Sequence, residues 1–158
     1  MINEPSPFSP CWYSHKFKGP GVRYEVALSI NGGDIVHING PFPCGSNPDI
    51  TIFRKKLINK LDEGEFVEAD RGYRGEPFKV RIPVDYETEH EKVQKELACA
   101  RHETINARLK NFQVLSNRFR HGVTADDMGK HGMAFSAVAV VTQLSIENGE
   151  RLFPVQFH

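Results

Sequence analysis

The segment from Tyr24 to Asn39 constrains the fold most narrowly. Tyr24-Glu25-Val26-Ala27-Leu28-Ser29-Ile30 has a rough period of two, as a half-buried strand requires. Asn31-Gly32-Gly33-Asp34 follows, and its glycines tolerate the positive φ of a hairpin turn. Ile35-Val36-His37-Ile38-Asn39 then reads as the returning strand. A chain holding this hairpin must cover at least one face of a sheet.

The covering elements lie downstream. A helix is expected over Ile50 to Leu61, because Ile50, Phe53, Leu57 and Ile58 share one face. Phe66-Val67-Glu68-Ala69 reads as a short strand with Asp70 at its carboxyl end. A long helical pattern runs from about Thr88 to Phe119, with Ile105, Leu109, Phe112 and Phe119 at helical spacing. His121 to Lys130 reads as a break, and Met133 to Ile146 as a last helix, apolar on most sides and so expected to be buried. The opening, 1–21, is loop-like, because Pro5, Pro7, Pro10, Pro20, Gly19 and Gly21 deny it regular structure. Helices alternating with strands predict a mixed α/β sheet flanked by helices, in one domain over 1–158. A helical crossover should set the strand ending at Asp70 parallel to an earlier strand.

Composition removes several function classes. Twenty basic and twenty acidic residues among 158 exclude a uniformly basic nucleic-acid coat. The longest apolar stretch, Met133 to Val141, is far short of the roughly 20 residues a membrane span needs, so no membrane partner is expected. Three scattered cysteines, Cys11, Cys44 and Cys99, make no disulfide framework, and the start has no signal-peptide pattern. These features predict a reduced, intracellular location.

Charge distribution is more informative than its sum. Leu61 to Asp70 carries five acids and no base, whereas Arg101 to His121 carries Arg101, Arg108, Lys110, Arg118 and Arg120 against the single acid Glu103. Two solvated faces of opposite sign would account for this pattern. An acidic cluster beside a basic, DNA-binding helix would account for it equally. Asp70 and Glu103, with 32 residues between them, are the candidate pair. A carboxylate at a strand end and another on a packed helix can converge on a hard cation such as Mg²⁺ or Mn²⁺.

Four ordered blocks carry a family resemblance. They are SHKFKGPGVRYEVALSI from Ser14, GPFPCGSNPDITIFR from Gly40, VEADRGYRG from Val67 and RHETINARLKNFQVLSNRFRH from Arg101. Together they resemble the DDE superfamily endonucleases of Harbinger-like transposable elements, over Glu4 to about Gln143. The resemblance implies an RNase H-like core and a divalent-metal-dependent DNA endonuclease, acting in the nucleus. It implies DNA as substrate and leaves room for a separate DNA-binding partner protein.

Residue by residue, Asp70 matches the family's second catalytic Asp and Glu103 its Glu. Six residues separate Glu103 from Lys110, similar to the Glu-to-Lys spacing of related bacterial transposases, but Cys99 stands where their companion Arg would be. Asp49 is read first as a helix cap, with a supporting metal or DNA-contact role as the alternative. The family's first catalytic Asp, on the central strand, would precede Met1, and Glu4 matches a different family position. The resemblance therefore implies a domain lacking its first strand and inactive as written. A non-catalytic, transposon-derived DNA- or partner-binding domain is the rival expectation.

Overall fold

A computed structural model describes residues 2–3, 7, 9–83, 88–120 and 128–155. Glu4 and most of the break expected at His121 to Lys130 lie outside the described residues.

The opening segment is more ordered than its prolines suggest. A 3-10 turn at Pro10–Trp12 leads into β1 (Tyr13–Ser14), which pairs antiparallel with β2 (Gly19–Pro20). The expected hairpin follows as β3 (Val22–Leu28) and β4 (Ile35–Pro43), antiparallel, with Glu25 opposite Asn39 and Ala27 opposite His37. Its turn closes through Ser29 N–H to the Asp34 carbonyl, and Gly33 takes the positive φ of 76°. β4 continues through Pro41 and Pro43, which a loop was expected to occupy.

Strand alternation divides the hairpin into two faces. Tyr24, Val26, Leu28, Ile35 and Ile38 pack on a cluster built from Ile105, Leu109, Phe135, Val138, Ala139 and Ile146. Those six residues belong to α2 (Glu89–Asn111) and α4 (Met128–Glu147), which cover this face. Ala27 on the other face joins Phe53, Leu57, Val80 and Ile82, under α1 (Asp49–Lys55). The order is helices, strands, helix, and the α/β class holds.

Several boundaries differ from expectation. The first helix stops at Lys55 because Lys56 leaves helical geometry (φ −140°), and a 3-10 turn at Leu57–Lys60 carries Leu57 into the core. The long helix ends at Asn111 and is followed by the short α3 (Gln113–Ser116). It starts where Thr88 and Glu91 form a reciprocal capping box, which satisfies two otherwise orphaned N–H groups. The last helix begins at Met128 and is buried on one side only, with Met133, Val140, Val141 and Leu144 exposed.

Among the described residues the strands do not make one continuous mixed sheet. They form three separate two-stranded ladders, among them β5 (Val67–Glu68) with β6 (Val80–Arg81), which are parallel. The parallel partner of β5 is thus the later β6, not an earlier strand. The connection 69–79 is long enough to return the chain in the same direction. β3 and β5 contribute Ala27 and Val67 to one apolar cluster, yet no described strand joins them.

Candidate acidic site

Asp70 stands two residues beyond β5 and caps the 3-10 turn Arg71–Tyr73, its Oδ1 accepting the Gly72 N–H at 2.7 Å. Lys95 of α2 fixes the strand end behind it. This buried ammonium donates to the Ala69 carbonyl at 2.7 Å and lies 3.4 Å from a Glu68 carboxylate oxygen.

Asp49 opens α1 and its Oδ1 pairs with Arg23 Nη1 at 3.1 Å. Asp49 is the first helical residue rather than the cap; the N-cap position is Pro48, which offers no side-chain hydrogen bond. The second Asp49 oxygen faces the Asp70 loop. A methyl group built on Gly72 would lie 2.9 Å from Asp70 Oδ1 and 3.1 Å from Asp49 Oδ2. Both carboxylates therefore crowd the point where a β-carbon on residue 72 would sit, and glycine leaves that point open. Burial raises the pKa of Asp49; Arg23 opposes the shift and the Asp70 charge adds to it.

Glu25 lies beneath this pair and was not singled out from the sequence. It is 3% exposed, and both carboxylate oxygens lack a hydrogen bond. Burial pushes its pKa up to about 7; the nearby Asn39 amide opposes this and the Asp49 charge reinforces it. His37 Nε2 lies 3.4 Å from Glu25 Oε2, and burial, with Lys60 and Lys56, lowers the pKa of that imidazole. Desolvation thus favours the neutral form of each. Tyr73 packs edge-on to Phe53, and its phenol pKa is raised by burial and then by Glu25, Asp49 and Asp70. Three acids thus act on one tyrosine. The available sequence signal was an acid inside an otherwise apolar strand, on the face shared with Ala27.

Glu103 stands elsewhere. It is exposed on α2, one residue after His102, whose Nε2 is 3.0 Å from the Val26 carbonyl. It lies eight residues beyond Lys95, about 12 Å along a helix axis. Among the described residues, no group of three or more His, Cys, Asp or Glu has metal-holding geometry.

The basic face also needs correction. Arg101 is 2% exposed and donates to the Ser29 and Ile30 carbonyls at 3.0 and 2.7 Å, tying α2 to the hairpin turn. It holds the fold from inside and cannot reach a phosphate. Arg108 is half-buried and donates to the Glu150 carbonyl at 2.6 Å. Lys110, Arg118 and Arg120 are exposed; the two arginines lie beyond α3, so the three do not form one helical stripe.

The α/β layers thus bring Asp70, just past a strand end, and Asp49, at a helix start, to the same glycine. The chain belongs to the DDE superfamily endonuclease family, whose sequence model matches residues 2–143. Neither a curated protein nor a solved structure matches the chain. No helix among the described residues is long and apolar enough to cross a membrane.

Proposed function

We propose that this chain is the acid-bearing part of a divalent-metal-dependent DNA endonuclease of transposon origin, working in the nucleus. The observation that carries the reading is the cradle at Gly72, flanked by Asp49 Oδ2 and Asp70 Oδ1. Oxygen donors of this kind suit Mg²⁺ or Mn²⁺. The unpartnered Glu25 carboxylate beneath them adds negative potential once it is ionised. Asp70 and Asp49 would hold the cation, with Glu103 as the candidate third acid. A bound divalent ion would supply Lewis-acid activation of water and stabilisation of a leaving oxygen.

The chain's own groups have separate tasks. Arg23 holds Asp49 in place, while the Gly72 N–H orients Asp70. Lys95 anchors the strand end from which Asp70 projects. Lys110, Arg118 and Arg120 would meet DNA phosphates, which bring affinity without sequence preference.

Alone, the chain should not cut DNA, because in-line displacement needs acids that hold reacting atoms within about 1 Å of their required positions. Two acids at one glycine, Asp49 and Asp70, leave that geometry incomplete. A supercoiled-plasmid nicking assay in Mg²⁺ or Mn²⁺ should show no cleavage above background. Cleavage removed by both Asp70→Ala and Glu103→Ala would overturn the inactivity.

The non-catalytic binding domain remains the second reading. It is favoured by the exposed Lys110, Arg118 and Arg120 together with the lack of a three-ligand group among the described residues.

A further inference from the structure

α4 carries two apolar rows on opposite sides. The core-facing row includes Met128, His131, Phe135, Val138, Thr142 and Ile146. A second row, Lys130, Met133, Ala137, Val140, Leu144 and Glu147, advances by alternating steps of three and four residues. That period keeps it on one side of a helix, about half a turn from the first row. All six residues are exposed, Met133 at 68%, Val140 at 59% and Leu144 at 49%. Val141, 49% exposed, widens the patch. No charged residue interrupts the helix between Met133 and Ile146. Single exposed apolar residues need no explanation, but a contiguous apolar row closed by a charge at each end marks a contact surface.

The order of the row selects its occupant. It reads the same from both ends in size and chemistry, except that the end charges are opposite. Two copies packed antiparallel about a two-fold axis, passing level with the Val138–Ala139 midpoint, would bring matched residues together. Met133 of one copy would meet Leu144 of the other, and Ala137 would meet Val140. Lys130 would meet Glu147 at both ends. Parallel packing would instead place Lys130 on Lys130 and Glu147 on Glu147. An isologous interface must be complementary to itself, and this row is so only in the antiparallel sense. We propose that the outer face of α4 is the interface of an antiparallel homodimer of this chain.

The small Ala137 at the centre lets the helices approach closely, to an interaxial distance of about 8 Å. A row about 26 Å long buries less than the roughly 1,200 Å² typical of the smallest stable interfaces. The dimer should therefore form at micromolar concentration and dissociate on dilution.

Sedimentation velocity on the full chain, from about 1 to about 200 µM, tests this. The wild type should pass from monomer to dimer with a midpoint on the order of tens of micromolar. Val140→Glu should remain monomeric. Lys130→Glu and Glu147→Lys should each weaken association about tenfold, since each creates two like-charged contacts. The double variant K130E/E147K should restore wild-type association. Both exchanges place a charge favourable to the helix dipole at its end, so unchanged helical circular dichroism separates lost association from lost folding. A wild type that stays monomeric throughout would overturn the proposal and leave the row to another segment or another protein. A dimer that the double exchange fails to restore would also overturn it.

Discussion

Asp49 Oδ2 and Asp70 Oδ1 both approach the side of Gly72 where a β-carbon would sit, 3.1 and 2.9 Å from that point. One aspartate opens α1 and the other follows β5, so two distant segments deliver their carboxylates to one gap. Burial raises the pKa of Asp49, Arg23 opposes the shift, and the Asp70 charge adds to it.

Gly72→Ala fills the gap directly. The added methyl cannot remain 2.9 Å from Asp70 Oδ1, so that carboxylate must leave the Gly72 N–H it now accepts from. Loss of the cap should lower stability by about 1 kcal/mol and the melting temperature by roughly 2–4 °C. Mn²⁺ affinity should fall at least about tenfold, as the bridging position is taken. Calorimetry and Mn²⁺ titration on the same samples check both outcomes; unchanged Mn²⁺ affinity would mean that the gap is not a cation site.

Glu25 gives the fold a defined pH dependence. Its carboxyl binds a proton up to about pH 7 in the folded state, whereas the ordinary value is 4.5. Between these values the folded chain holds more protons than the unfolded one. Its stabilising contribution is therefore complete below pH 4.5 and lost as pH rises through 7. Glu25→Gln, which cannot ionise, should be more stable than wild type at pH 8 by up to about 3 kcal/mol and nearly equal at pH 4.5. Urea titrations at the two pH values read the difference, and an advantage at low pH would contradict this assignment.

Arginines close in sequence should separate in function. Arg101→Ala strips the Ser29 and Ile30 carbonyls of their donor and should destabilise by about 3 kcal/mol, with little change in the salt dependence of DNA binding. Alanine at Lys110, Arg118 and Arg120 together should leave stability within about 1 kcal/mol. The same three changes should lower the slope of log affinity against log salt by about 2–3. Fluorescence anisotropy with a random duplex at two salt concentrations distinguishes the two classes. A steep slope surviving the triple change would place the phosphate contacts elsewhere.

The hairpin was legible because Asn31-Gly32-Gly33-Asp34 leaves the backbone little alternative, and α2 because Ile105 and Leu109 recur at helical spacing. Arg101 was misjudged because a charge on a helix reads as solvated unless its acceptors are known. Its i+4 and i+8 neighbours, Ile105 and Leu109, did mark the inward face. α4 was misjudged because an apolar pattern all around a helix says how much surface is apolar, not how much is covered. Asp49 was identified first as a cap; its ion pair with Arg23 and its approach to Gly72 are tertiary facts that no local spacing contains. Asp70 and Glu103 share a motif order, but pairing them depends on how α2 lies against β5, which no local spacing contains.

Mn²⁺ binding, followed by electron paramagnetic resonance of the free ion, tests the metal assignment most directly. Wild type should bind one ion with a dissociation constant on the order of 0.1–1 mM, as expected for two carboxylates and retained waters. Asp49→Asn and Asp70→Asn should each weaken binding at least about tenfold, and Glu103→Gln should change it less than about twofold. Binding that is lost in Glu103→Gln and kept in Asp49→Asn would contradict the assignment and return the site to the Asp70–Glu103 pair.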